Sequence, residues 1–207
     1  MLGRPFGVPN DAPFQRKVLL AALRLLEADA GPVLADFPED APAGKLTAPP
    51  QELVCPVSFP RLKSDGALAD NLLDEVSQLG AWHEVALKLH GRTTLGVTGL
   101  TPMALASYLV AWLKGQPPSR YRADMTEGDS LKQACDELKA YYYEAKSAQP
   151  GEHTSATIQN WFWLETAAGQ ALPKIRDIAA KSSDASVKTV AVMSLIPRAV
   201  EPMLKPA

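Results

Sequence analysis

The side chains that could do chemistry in this sequence are few, and its 3 histidines come first. His83 and His90 lie on one predicted helix, seven positions apart. Seven positions are about two helical turns, which separates the rings too far along the helix axis to share one metal ion. A zinc-protease helix would carry its second histidine at the position of Leu87. We therefore predict no metal site.

Other signatures of catalysis or cofactor binding are missing as well. The sequence has no nucleophile elbow, no phosphate-binding loop and no dinucleotide glycine fingerprint. Cys55 and Cys135 lie 80 positions apart and match neither a metal nor a redox spacing. We predict no cofactor, assign no catalytic residue and expect two reduced, buried thiols in a cytoplasmic protein.

A loop rich in threonine and glycine is the strongest candidate for a small ligand. Arg92, Thr93 and Thr94 are followed by Gly96 and Gly99. Backbone N–H groups and hydroxyls of such a segment can donate hydrogen bonds, and the arginine adds a positive charge. The segment could therefore bind an anionic group, although a plain turn is the favoured interpretation.

Three carboxylates form a second candidate. Glu137 and Glu144 are two turns apart on one predicted helix, and Glu165 lies on the next helix. They could converge if that face of the bundle is buried. Because buried carboxylates are unfavourable without partners, we favour a paired or solvent-facing set. The sequence lacks the repeated Glu-x-x-His pair of di-iron bundles.

Aromatic residues crowd the C-terminal half. Trp161, Phe162 and Trp163 are consecutive, and three tyrosines at 141–143 lie on the preceding predicted helix. These rings could form a wall for a flat or apolar ligand, but core packing is the favoured interpretation because aromatic side chains at helical spacing mostly fill cores. The complete predicted set of ligand-binding residues is His83, Arg92, Thr94, Tyr142, Glu144, Trp161, Trp163 and Glu165.

Helices must position these side chains. Apolar residues at steps of three and four predict five main helices and a short last one. Their predicted ranges are about 12–29, 67–90, 102–114, 129–148, 155–180 and 187–195. Gly80 predicts a break or kink in the second helix, and Pro173 predicts a kink in the fifth.

The remaining segments are predicted to be irregular. Residues 1–11 form an extended arm, and residues 31–66 form a proline-rich strap over the helices, with a lid as the functional alternative. The fold class is therefore all-α: one domain spanning residues 1–207, built as a bundle of five to six helices around the four tryptophans.

Composition and charge exclude several partners. The chain is 46% hydrophobic and 21% charged, with a formal net charge of -2. This balance is typical of a globular protein, and it exerts no general attraction on nucleic acid or an anionic membrane. No apolar run approaches the roughly 20 residues that span a bilayer. The first residues lack the apolar core of a signal peptide, so we expect a cytoplasmic protein.

Part of the N-terminal region resembles a known family. Residues 3–42 include the arm that begins at Gly3 and the helix that contains Phe14, Gln15 and Arg16. They resemble the C-terminal end of selenoprotein B of the glycine, sarcosine, betaine and D-proline reductases. The resemblance implies a reductase-associated or reductase-derived protein. Neither Cys55 nor Cys135 reproduces the redox motif of that family, so the resemblance assigns no catalytic residue here.

Three hypotheses follow. The first is a non-enzymatic binding or accessory protein with an aromatic-lined apolar core or pocket. The second is an enzyme that acts on a small anionic ligand in a helical cleft, with Arg92, His83, Glu144 or Glu165 at work. Two or more of those groups in one partly buried site would support it. The third is a homodimer built on the first amphipathic helix.

Overall fold

The computed structural model describes residues 6–7, 11–39, 67–151, 153–198 and 200–204. The chain divides into two compact units, Met1–Ala48 and Pro49–Ala207. Among the described residues every regular element is a helix, which confirms the all-α class. Most of the predicted arm, the strap beyond residue 39 and Cys55 lie outside these residues. The single-domain organisation stays a prediction.

The first unit contains helix α1, Ala12–Arg24, which a 3₁₀ turn extends over Leu25–Glu27. The Asp11 side chain caps α1 by accepting a hydrogen bond from the Phe14 backbone N–H at 3.2 Å. Phe14 is buried and meets Phe37 edge to face, with ring centroids 5.9 Å apart. Lys17 forms an exposed ion pair with Glu39 at 2.9 Å. One side of α1 is therefore covered within its own unit.

The second unit contains six α-helices in its described residues. They are α2 Leu68–His90, α3 Pro102–Leu113, α4 Glu127–Ser147, α5 Ser155–Glu165, α6 Ala167–Ala179 and α7 Ala185–Met193, and a 3₁₀ turn follows at Glu201–Leu204. Thr101, Thr126, Thr154, Thr166 and Asp184 each cap the helix that they precede. Helix α4 packs against α2, α3, α5 and α7, so it lies at the centre.

The described ranges contain seven α-helices instead of the five to six that were predicted, because the predicted fifth helix is two helices. The break is at Thr166, where the backbone is extended with φ -103° and ψ 153°. The Thr166 hydroxyl donates to the Phe162 carbonyl at 2.6 Å and accepts from the Gly169 N–H at 3.0 Å. One side chain thus ends α5 and begins α6. Pro173 lies inside α6.

The predicted interruption at Gly80 is absent, because α2 is one continuous helix from Leu68 to His90. It ends at Gly91, whose φ of 61° is left-handed and therefore favours glycine. Among the described helices, none is both long and apolar enough to cross a membrane.

The core of the second unit is aromatic, as predicted, with one difference. Trp82, Trp112 and Trp163 are buried together with leucines of α3 and α4. Trp161 is only partly buried and packs at the edge of this core. Its ring lies next to Tyr142 and Lys146, which are both on α4.

Candidate functional site

The threonine- and glycine-rich loop at residues 91–101 lies against α4, and two glutamates of that helix hold it. Glu137 and Glu144 are two turns apart on α4 and therefore project from the same face. The loop joins α2 to α3, so its ends are fixed by those two helices. His83 reaches the same region from α2.

The carboxylate of Glu144 accepts four hydrogen bonds. Its Oε1 atom accepts the backbone N–H and the hydroxyl of Thr94, both at 2.7 Å. Its Oε2 atom accepts the Thr93 hydroxyl at 2.7 Å and lies 3.1 Å from Nε2 of His83. The His83 and Glu144 side chains are only 12% and 19% exposed, so this is a partly buried polar cluster.

Electrostatics at Glu144 favour the charged carboxylate. Burial raises the pKa of this carboxyl, but hydrogen bonds from the Thr94 backbone, the Thr93 and Thr94 hydroxyls and His83 outweigh burial and hold the pKa below its ordinary value. Hydrogen bonds to the ionised form act in this direction because they are lost or weakened on protonation.

Glu137 performs the same task for the second half of the loop and is 4% exposed. Its Oε1 atom accepts the Gly96 N–H at 2.5 Å, and its Oε2 atom accepts the Thr98 N–H at 2.7 Å. Within the loop, the Thr98 hydroxyl accepts the Leu100 N–H at 3.0 Å. The backbone N–H groups of Thr94, Gly96 and Thr98, which the sequence offers to an external anion, thus donate to the protein's own carboxylates.

The arrangement around His83 differs from that of a catalytic triad. In a triad the histidine stands between a hydroxyl nucleophile and a carboxylate. Here the hydroxyls of Thr93 and Thr94 donate directly to Glu144. The other nucleophile candidate, Cys135, is buried, and burial raises the pKa of its thiol to about 12, which keeps the thiol protonated at neutral pH. Across the described ranges, no group of three metal-binding side chains comes together.

A third anchoring carboxylate, Glu75 on α2, was not singled out from the sequence. Its two oxygens lie 2.8 and 2.7 Å from the Ala167 backbone nitrogen, at the start of α6, and Oε2 accepts the Tyr142 hydroxyl at 3.0 Å. Burial raises the pKa of Glu75 despite these hydrogen bonds. No local signal could have revealed it, because Ala167 is 92 positions away in the sequence.

The aromatic residues at residues 141–143 and 161–163 pack against one another and form part of the core. Phe162 meets Tyr142, Tyr143 and Trp163 edge to face, with ring centroids 5.5, 5.4 and 5.0 Å apart. Tyr142 is 0% and Trp163 is 2% exposed. Burial raises the pKa of Tyr142 well above its ordinary value, and the nearby Glu75 carboxylate adds to the effect. The rings of Tyr142 and Trp163 are therefore part of the packed core and do not form a wall open to a ligand.

Trp161 lies at the edge of that cluster. Its ring is 6.1 Å from the ring of Tyr142, and the Lys146 ammonium is 5.0 Å from the indole centroid. This is cation–π distance. Burial lowers the pKa of Lys146, and the charge of Glu165 partly opposes that shift. Glu165 is exposed on α5.

The predicted ligand-binding residues therefore fall into three places. His83, Thr94 and Glu144 meet in one network; Tyr142, Trp161 and Trp163 belong to the aromatic cluster; Arg92 and Glu165 are exposed. Two surface depressions of about 220 and 270 Å³ lie elsewhere, the first beside Trp112 and the second beside Lys174. No residue of the predicted set lines either depression.

Comparison with known proteins adds no relative to this picture. No protein-family model, curated protein or solved structure matches the chain. These comparisons do not bear on the resemblance of residues 3–42 to reductase selenoprotein B, which stays an expectation.

Proposed function

We propose that this protein is a non-enzymatic binding or accessory protein that acts through protein–protein contact. The observation that supports the proposal is the exposure of leucines on α1 and its 3₁₀ extension: Leu19 48%, Leu20 43%, Leu23 57%, Leu25 39% and Leu26 81%. We name Leu19, Leu20, Leu23 and Leu26, which recur at helical steps, the leucine stripe.

The leucine stripe differs from the leucines of the second unit. On α3 and α4 the leucines at 105, 109, 131 and 138 are at most 1% exposed. Single exposed leucines are ordinary on protein surfaces, whereas several on one helical face indicate an interaction site. An amphipathic helix with anchors at such steps is a common means of binding a protein partner.

Two further features support an accessory role over a catalytic one. The aromatic core is filled, so it serves as the scaffold of the second unit. In the loop at residues 91–101, Glu144 accepts the backbone N–H and hydroxyl of Thr94, and Glu137 accepts the backbone N–H groups of Gly96 and Thr98. The resemblance of residues 3–42 to reductase selenoprotein B-like proteins adds association with a reductase to the proposal.

Site-specific photo-crosslinking in intact cells tests the proposal. A photoreactive amino acid replaces Leu23 in the full chain, and the matched control carries it at Leu164, which is 50% exposed on α5. We expect a discrete covalent protein adduct from position 23 that is absent or much weaker from position 164. No discrete adduct at 23, or equal adducts at both positions, would contradict contact through α1.

An enzyme acting on a small anionic ligand is the alternative, and the convergence of His83 with Glu144 favours it. In that case Arg92, which is exposed at the end of the loop, would bind the anion. Calorimetric titration with inorganic phosphate or acetate separates the two functions. Saturable binding that disappears in Arg92→Gln and persists in the exposed control Arg120→Gln would favour the enzyme. Absence of binding would favour the accessory protein.

A further inference from the structure

The leucine stripe is bounded by opposite charges in a symmetric pattern. Arg16, Leu20, Leu23 and Glu27 follow one another at steps of four, three and four residues. Arg16, Leu20 and Leu23 lie along one side of α1, and Glu27 follows in the 3₁₀ turn that extends it. The spacing is the same when it is read from either end, but the charge is positive at one end and negative at the other.

This pattern complements itself when two such helices lie antiparallel. If Arg16 of one chain faces Glu27 of another, then Glu27 of the first faces Arg16 of the second. Leu20 then faces Leu23 of the other chain, because each lies four residues inside its charged end. Two-fold symmetry makes both ends equivalent, as in any isologous interface. A parallel pair would instead place like charges together.

We propose that the partner of α1 is a second copy of this chain, held as an antiparallel two-fold pair along the leucine stripe. The proposal rests on the function proposed above, because it names the partner for the same surface. Leu19 and Leu26 flank the central Leu20–Leu23 contact and extend its apolar area. The charged ends select the orientation and the register of the pair.

The groups needed for this pairing are accessible in the first unit. Arg16 and Glu27 are exposed, and within the described residues neither forms an ion pair. Lys17, the neighbouring cation, is already paired with Glu39. Phe14, on another side of α1, is buried against Phe37. The covered side of the helix and its free stripe are therefore different surfaces.

Charge reversal of the full chain tests the inference, with sedimentation equilibrium as the measurement. We expect the wild type to form a dimer, and Arg16→Glu or Glu27→Arg alone to raise the dissociation constant about tenfold, because each substitution creates two like-charge contacts. The double variant Arg16→Glu/Glu27→Arg restores opposite charges and is expected to return towards wild-type affinity. An equimolar mixture of the two single variants is expected to form a heterodimer.

Two controls keep the result interpretable. Lys188→Glu reverses an exposed charge on α7 of the second unit, outside the proposed contact, and is expected to leave the dissociation constant unchanged. Circular dichroism of every variant checks that the helices persist. A wild type that stays monomeric, or a dimer that both single reversals leave intact, would overturn the inference.

The same experiments separate this inference from the broader function. A monomeric wild type whose position 23 crosslinks to a different protein overturns self-association and leaves contact through α1 standing. A monomer with no adduct at position 23 overturns both. An adduct of twice the chain mass, together with recovery in the double variant, supports both.

Discussion

The Glu144 carboxylate accepts the backbone N–H of Thr94 at 2.7 Å, which joins α4 to a loop 50 positions earlier in the sequence. The Thr94 hydroxyl donates to the same oxygen. Sequence reasoning had placed both residues in a ligand site, one as an acid and one as a donor. In the structure they are partners of each other, and they hold the loop in place.

Glu144→Gln is expected to destabilise the second unit by about 2 kcal/mol. The amide keeps one acceptor oxygen but points an NH₂ group at two of the donors, so two hydrogen bonds of the network are lost. Urea unfolding gives the change in free energy of unfolding. Hydrogen exchange should also accelerate at the backbone amides of residues 93–98.

The matched control for that substitution is Glu84→Gln on α2, where the carboxylate is exposed. We expect it to change the free energy of unfolding by less than about 0.5 kcal/mol. Equal effects of the two substitutions would show that the Glu144 network contributes nothing.

The stabilisation from Glu144 should depend on pH. The fold holds its pKa below the ordinary value of 4.5, so the folded state favours the charged form. This contribution is complete above the unfolded-state pKa and is lost as pH falls through the folded-state pKa. The difference in unfolding free energy between wild type and Glu144→Gln should therefore narrow between about pH 5 and about pH 3. A difference that stays constant or widens on acidification contradicts this sign.

The contribution of Glu75 to stability should have the opposite pH dependence. Burial raises its pKa above 4.5, so the folded state favours the protonated form. Its contribution is complete below the unfolded-state pKa and is lost as pH rises through the higher folded-state pKa. Relative to Glu75→Gln, the wild type should therefore become less stable as pH rises from about 4 to about 7. Urea unfolding of both proteins at matched pH values measures this difference in stability. If the two curves of unfolding free energy against pH run parallel, the prediction is wrong.

Two glycine-to-alanine substitutions should have opposite effects on stability. A Cβ atom at Gly169 would lie 2.0 Å from the carbonyl oxygen of Phe162, so Gly169→Ala must push α5 and α6 apart. We expect Gly169→Ala to lower the free energy of unfolding by about 3 kcal/mol. At Gly80, inside α2, the nearest atom to a new Cβ is the Tyr141 hydroxyl at 3.8 Å. Gly80→Ala should stabilise by about 0.5–1 kcal/mol.

Thermal unfolding of the two alanine variants measures both effects. Each variant serves as the control for the other, because both substitutions add the same methyl group to a helix. Similar melting temperatures for the two variants would mean that the close approach of Phe162 to Gly169 does not constrain the fold.

The adjacent tryptophans should differ in their contribution to stability. Trp163 is 2% exposed and touches Phe162, so Trp163→Ala should cost about 3–5 kcal/mol. Trp161 is half-buried beneath Lys146, and Trp161→Ala should cost about 1–2 kcal/mol. Chemical unfolding followed by circular dichroism measures both without relying on tryptophan fluorescence. The reverse order would contradict the assignment of Trp163 to the core.

Sequence alone determined the helical class and most helix ends. The apolar steps of α2 and α3 and the threonine and proline at the start of α3 place those helices within a residue or two of their observed bounds. Such signals work because a helical turn and its cap involve residues within four positions of each other. The amphipathic character of α1 was visible for the same reason.

Tertiary structure decided what the polar residues do. Thr166 divides a continuous apolar pattern because Phe162 and Gly169 must meet there. The loop at residues 91–101 faces Glu137 and Glu144, and the start of α6 faces Glu75, across 39 to 92 positions of chain. The spacing of residues within a short stretch of sequence cannot predict such distant pairs. They form because packing brings donors and carboxylates together out of water, where each must find a partner.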